Sequence, residues 1–192
     1  MIYLKYSGTA ENKFSIRKLV DEFSDIARIS GWKYEIVNEN FNTLTRASWR
    51  SFDCPENDIG LDEEDILTLN SADVFLEGII LGIDSGMDPL RLTFDKKGKL
   101  AAISFCTTDT VGLNKKLTVK KYEFLYYPYL KLYTIDAEKH KKVVKILDYL
   151  KKTYIKDLEV IDNSFYWDNR DEEELKVRMW KASRPEKTIT NY

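Results

Sequence analysis

His140 is the only histidine in the chain, so any scheme in which an imidazole moves a proton or activates a nucleophile must use it. Counted back from Val143, Val144 and Leu147 at helical spacing, it falls on an apolar stripe. The expectation is a histidine at the core's edge, its ring packed and its nitrogens bound to water or a carbonyl. A catalytic role would need an oriented partner that spacing does not reveal. Asp84 and Asp88, with Arg91 close by, flank Gly86 after an apolar run. Two carboxylates on a glycine-containing turn could hold Mg²⁺ or Ca²⁺, but they lack the further oxygen ligands and regular spacing of a calcium loop. The expected role is a polar turn whose aspartates bind backbone amides. The stretch FYWDNRDEEE sets Tyr166, Trp167 and Asp168 beside a run of acids. An aromatic pair next to carboxylates could wall a pocket for a cationic or sugar-like ligand. Acids in a helix's first turn are also explained by the helix dipole alone, with Trp167 then packed on a sheet.

Several chemistries lose support by absence. The sequence has no GxGxxG, GxxxxGK[ST], GxSxG or HExxH, the spacings that cradle dinucleotides or phosphates, expose a serine nucleophile or hold a zinc ion. Cys54 and Cys106 are far apart with no CxxC or Cys/His spacing, which reads as two thiols in a reducing cytoplasm. No cofactor and no metal are implied. The net charge of −2, with lysines alternating with acids, gives no basic face for nucleic acid. No apolar run approaches the ~20 residues of a membrane span, and no secretory signal opens the chain.

The elements that must position these residues follow from periodicity. MIYLKY reads as a strand; Ile16, Leu19, Val20, Phe23, Ile26 and Ala27 then share one helix face, with Ser15 suited to cap its start and Gly31 its end. WKYEIVN (Trp32–Asn38) reads as the next strand. A second strand–helix–strand set begins at Tyr129, with Asp136 as cap, Val143, Val144, Leu147, Leu150 and Tyr154 as stripe, and LEVID (Leu158–Asp162) as strand. Shifted by 124 residues the two stripes coincide, Leu19 on Val143 and Phe23 on Leu147, while YLKYSGTAE and YLKLYTIDAE match at 126. Two such units of similar length share this pattern by construction, so duplication stays open. Between them, VFLEGIILGID (Val74–Asp84) suits a strand buried on both faces. LRLTF and KLAAISF flank Asp95-Lys96-Lys97-Gly98 as a hairpin. KYEFLYYPYLKLYT is strand-like, with Pro128 at an edge, bulge or boundary. LDEEDILTL suits a short helix, and Asp171 and Glu174 are spaced as the capping box of a last one.

The stretch HKKVVKILDYLKKTYIKDLEVIDNSFYWDNRDEEEL (His140–Leu175) resembles an uncharacterised family of bacterial proteins. In that family a helix begins near a histidine, and a strand leads to a DEGxYWET-like motif and an acidic helix start. GIDSGMDPLRLTFDKKGKL (Gly82–Leu100) is similar to the family's HxGCEPLxxxFDxxGxL-like hairpin. The two cover about a third of the chain. The resemblance implies a cytoplasmic α+β protein with no assigned activity. Where the family's hairpin has His and Cys-Glu the chain carries Ser85, Met87 and Asp88, and where its second motif has Glu-Gly the chain has Asn163-Ser164-Phe165, so a polar site of the family's there would be rebuilt or lost.

The expected whole is one α+β domain over 1–192: a mixed sheet from two β-α-β units (halves 1–41 and 129–165) joined by an antiparallel hairpin region (73–127), with a C-terminal helix over 170–182 and helices mainly on one face. The expected function is a non-catalytic binding or interaction module in the cytoplasm, acting through a sheet face or the cleft between the halves, with a protein partner or a second copy. The alternative is an enzyme using Asp84, Asp88, Arg91 and residues 166–168 converged on one acidic, metal-binding pocket.

Overall fold

The computed structural model describes residues 1–40, 67–69, 75–111 and 118–184. In chain order these form β1 (Ile2–Ser7), α1 (Lys13–Ser30), β2 (Lys33–Asn40), β3 (Leu67–Leu69), β4 (Phe75–Gly82), β5 (Leu90–Phe94), β6 (Ala102–Val111), β7 (Thr118–Tyr127), β8 (Leu130–Thr134), α2 (Ala137–Thr153), β9 (Glu159–Asp162), α3 (Tyr166–Asn169) and α4 (Glu172–Ala182). The protein is α+β. Among the described residues three three-stranded sheets run in the orders β8-β1-β9, β2-β4-β5 and β3-β7-β6.

Among the described residues every registered pair is antiparallel, in place of the parallel neighbours a mixed sheet would show. The second unit takes a split form: β8 and β9 both oppose β1, so they run parallel to each other across it, and α2 makes the crossover. In the first unit β1 and β2 belong to different sheets. Lys5 faces Lys131 in the β1–β8 register, with Leu4 on Leu132 and Tyr6 on Leu130. Like charges directly opposed are unfavourable; here Lys5 lies 3.9 Å over the Tyr129 ring and Lys131 4.6 Å over that of Tyr3, where the ring faces attract them.

Alternation on β1 buries Ile2, Leu4 and Tyr6, and the helix stripes cover them. Leu19, Phe23 and Ala27 of α1 join Val143, Val144, Leu147 and Leu150 of α2 in one core cluster with Ile79, Leu81, Leu90 and Leu92. Each such side chain contributes roughly 1.5–3 kcal/mol by leaving water. Tyr6, fully buried, donates to the Arg91 carbonyl at 2.7 Å, tying β1 to β5; burial holds its hydroxyl well above the usual tyrosine range. Glu22 of α1 accepts from the hydroxyls of Tyr149 on α2 and of Tyr154, the residue that caps its end, which clamps the two helices together.

Asn12 caps α1, its side chain accepting from the Ser15 N–H at 2.9 Å. The helix thus starts before Ser15, which serves as the donor and not the cap. Gly31 ends it in the left-handed region at φ 70°. Asp136 caps α2 as expected, at 2.8 Å from the Lys139 N–H. Asp171 caps α4 from both Glu173 and Glu174 N–H groups, but the Glu174 carboxylate binds Arg178 and Asn169 and does not close the box.

The Asp95–Gly98 turn forms, with Gly98 N–H on the Asp95 carbonyl at 2.9 Å, yet its return arm leaves early. After the Phe94–Leu100 bridge, Lys99 bridges Thr9 and Leu100 N–H binds the Gly8 carbonyl, and β6 then pairs with β7. Strand β4 is less enclosed than an all-buried strand, with Phe75, Glu77, Ile80 and Gly82 half-buried. Its Gly78 is fixed by contact: at φ 148° a Cβ there would lie 2.0 Å from the Leu92 carbonyl oxygen. Pro128 falls at the β7–β8 boundary. Of LDEEDILTL, residues 67–69 pair as β3 with β7 and so are strand, not helix; 61–66, Cys54 and the segment beyond Arg184 lie outside the described residues.

Candidate functional site

His140 is fully buried rather than at the core's edge. It projects from the first turns of α2, where both ring nitrogens are used: Nδ1 lies 2.8 Å from Thr134 Oγ1, and Nε2 lies 2.9 Å from Asp162 Oδ2 and 3.3 Å from Ser164 Oγ. Asp162, at the end of β9, is 5% exposed and accepts four hydrogen bonds: His140 Nε2, the Ser164 N–H at 2.8 Å, the Ser164 hydroxyl at 2.7 Å and the Trp167 N–H at 2.9 Å. Burial alone would raise its carboxyl, but the hydrogen bonds from His140 and Ser164 and the attraction of the imidazole outweigh that and hold it below the usual aspartate range.

The residue types are those of a serine-nucleophile triad, and the geometry is not. In such a triad the serine and the acid occupy opposite nitrogens of the imidazole; here both meet Nε2, and Nδ1 meets a threonine. The serine hydroxyl donates to the acid, and Ser164 is sealed from solvent. Four polar groups satisfy one another inside the core and hold the turn from β9 into α3, where Phe165 adopts φ 65°.

Three candidate residues gather there. Tyr166 packs edge-on to His140 with ring centroids 6.0 Å apart, and Trp167 donates its N–H to Asp162. Asp168 is exposed in α3, which is a short helix of its own before α4. The aromatic wall already carries cations from the chain: the Arg170 guanidinium lies 4.8 Å over Trp167, and Lys151 Nζ lies 5.8 Å from it.

The 84–91 turn lies elsewhere on α2. Asp84 pairs with Lys139 at 3.1 Å and Lys142 at 3.7 Å, and the Lys139 hydrogen bond, with the charges of both lysines, holds its carboxyl below the usual range. Asp88 accepts from the Tyr133 N–H at 3.1 Å. Arg91 stands in β5, opposite Ile80. Among the described residues no hydrogen bond or ion pair joins 84–91 to 166–168, and no three His, Cys, Asp or Glu side chains group to hold a metal ion. No described helix is long and apolar enough to cross a membrane.

A different place is open. Between the first half of α1 and strands β2 and β4 runs a groove of about 460 Å³. Lys13, Ile16, Arg17 and Val20 line it from the helix, Ile36 and Asn38 from β2, and Phe75 and Glu77 from β4. Odd positions of β4 face the helix, and so do their partners in register, Ile36 opposite Ile79 and Asn38 opposite Glu77. Glu77 Oε1 is shut off from water and has no hydrogen-bond partner. Lys13 Nζ stands 6.0 Å from the centroid of the Phe75 ring.

The chain matches no protein-family model, no curated protein and no solved structure. The resemblance drawn in the sequence therefore stands on its short motifs alone.

Sequence reasoning passed over Glu77, Thr134, Asp162 and Ser164. For Glu77 a signal was present, a lone acid inside the apolar run VFLEGIILG, since charged residues are almost never enclosed unless paired. For Asp162 and Ser164 the only cue was an Asp two residues before a Ser at a strand's end, a common turn pattern, and for Thr134 there was none.

Proposed function

We propose that this protein is a non-catalytic binding or interaction module, and that the α1–β2–β4 groove is where it takes its ligand. One observation carries the reading: Glu77, an acid inside an otherwise apolar strand, lines an open groove, and its Oε1 is buried without a protein partner. Buried acceptors without a partner cost about 1–3 kcal/mol, and proteins keep such a group where function needs it. The groove belongs to the first half, between helix and sheet, and not to the cleft between halves. A cytoplasmic setting goes with this reading, on the two lone cysteines Cys54 and Cys106.

The enzyme reading loses its supports one at a time. The acids at 84 and 88 are matched by lysines and a backbone N–H, Trp167 lies under Arg170, and the histidine cluster is closed to substrate. The test is Glu77→Leu, followed by urea unfolding. Removal of the unmatched carboxylate is expected to stabilise the fold by about 1–3 kcal/mol. Destabilisation of that size would show that the carboxylate serves the fold, and would end the proposal.

A further inference from the structure

Helix α4 carries apolar side chains on two opposite faces. Leu175 and Met179 belong to the core cluster. Glu173, Val177, Trp180 and Arg184 recur at intervals of four, three and four, the spacing that sets side chains in one row along a helix, and that row stands opposite Leu175 and Met179. Arg184 follows the helix end, but its N–H still binds the Lys181 carbonyl at 3.2 Å, which continues the turn. Val177 is 50% exposed and Trp180 54%. A surface helix ordinarily turns polar residues outward; here a valine and a tryptophan hold the middle of the outer row.

The ends of the row carry opposite charges. Glu172 and Glu174 are answered within the fold, by Lys141 and Arg178. Glu173 meets Lys176 at 2.6 Å, both side chains more than half exposed, a surface pair of the kind that contributes little. Arg184 lies 3.8 Å over the Trp180 ring, and among the described residues no carboxylate pairs with it.

We propose that this face of α4 docks a second copy of the chain, the two helices running antiparallel about a two-fold axis. The order of charges fits that reversal. Glu173 of one copy meets Arg184 of the other and Val177 meets Trp180, each contact made twice because a two-fold interface is self-complementary. A parallel pairing would set acid on acid and arginine on arginine. Tryptophan and arginine are among the side chains that most often carry such interfaces. A contact built on one helix is small for a stable interface, so the pairing depends on concentration. It is independent of the groove beside α1.

Sedimentation velocity of the full chain, diluted from millimolar to micromolar concentration, reads the pairing directly. The expected result is a dimer that dissociates on dilution, with association at least tenfold weaker in Glu173→Arg, in Arg184→Glu and in Trp180→Ala. The deciding arm mixes the two charge variants. Each alone sets like charges together, whereas one copy of each restores two opposite pairs, so the equimolar mixture should associate again. A fold damaged by substitution would not recover on mixing, and Trp180→Ala tests the same face with no change of charge. A wild-type chain that stays monomeric throughout overturns the proposal. So does a dimer that Trp180→Ala and both charge variants leave intact, which would put the two-fold contact on another surface.

Discussion

Ile16 on α1 and His140 on α2 stand 124 residues apart, and so do Asn38 on β2 and Asp162 on β9. In the second half the two positions meet: imidazole and carboxylate lie 2.9 Å apart, and Ser164 and Thr134 complete the contact. In the first half the corresponding pair is an aliphatic chain and an amide, and both line the groove. The strands differ in the same sense. β9 hydrogen-bonds β1, whereas β2 leaves for β4 in another sheet. A helix–strand interface closes where a polar pair locks it and its strand stays with the first sheet. Where neither holds, a space remains between helix and strand, and it is lined by Glu77, the residue with the one carboxylate oxygen that is buried and unmatched among the described residues.

The contrast can be broken most forcefully on its closed side. Asp162→Ala strips four donors of their acceptor and leaves His140 buried without its acid. A loss of about 3–5 kcal/mol in urea unfolding is expected; a loss under about 1 kcal/mol would mean that the cluster does not hold the second half shut. Acid gives a finer version of the test. Because the native carboxyl of Asp162 titrates below its unfolded value, its stabilising contribution is complete above an unfolded aspartate's roughly 3.9 and is lost as pH falls through the lower native value. Asp162→Asn should flatten that part of the acid limb, and an unchanged slope would contradict the assignment.

Next in size is the clamp that sets the halves against each other. Glu22→Ala removes the acceptor shared by Tyr149 and Tyr154, the latter 3% exposed. A decrease of about 1.5–3 kcal/mol is expected for hydrogen bonds to a charged group, with the lower end favoured because Tyr149 is partly in water. The smallest effect belongs to the open side: Asn12→Ala should cost about 1 kcal/mol as a lost helix cap, where Ser15→Ala, at the residue first suited to that role, should change little. Equal losses would return the cap to Ser15.

What the sequence made legible was local. The stripes Leu19–Phe23–Ala27 and Val143–Leu147–Leu150 repeat at 3.6 and appear as α1 and α2; the alternation of MIYLKY appears as β1. Partner choice was not legible. KLAAISF has the same alternation whether it returns along LRLTF or pairs with β7, and contacts of Lys99 and Leu100 with Thr9 and Gly8 decide the matter. LTL at 67–69 carries too few residues to tell a helix end from a strand until Tyr126, Leu125 and Phe124 stand opposite it. The same limit governs the site. His140 could be seen to lie on the apolar stripe, but its partners are 6, 22 and 24 residues away along the chain, and no motif announces them. Asp84, Asp88 and Arg91 looked promising because the lysines that answer the first acid arrive from a helix more than fifty positions later.

β1 occupies the middle of its sheet, with Tyr6 against Leu130 on one side and Leu4 against Asp162 on the other. A ribosome releases this strand long before either of its flanks. Throughout the interval its Ile2, Leu4 and Tyr6 edge has nothing to pair with, the situation in which nascent chains recruit chaperones or one another. Closing two such distant pairings is also slow, because long stretches of chain must be gathered before any contact rewards them. A strand made well ahead of both neighbours is therefore sheltered late.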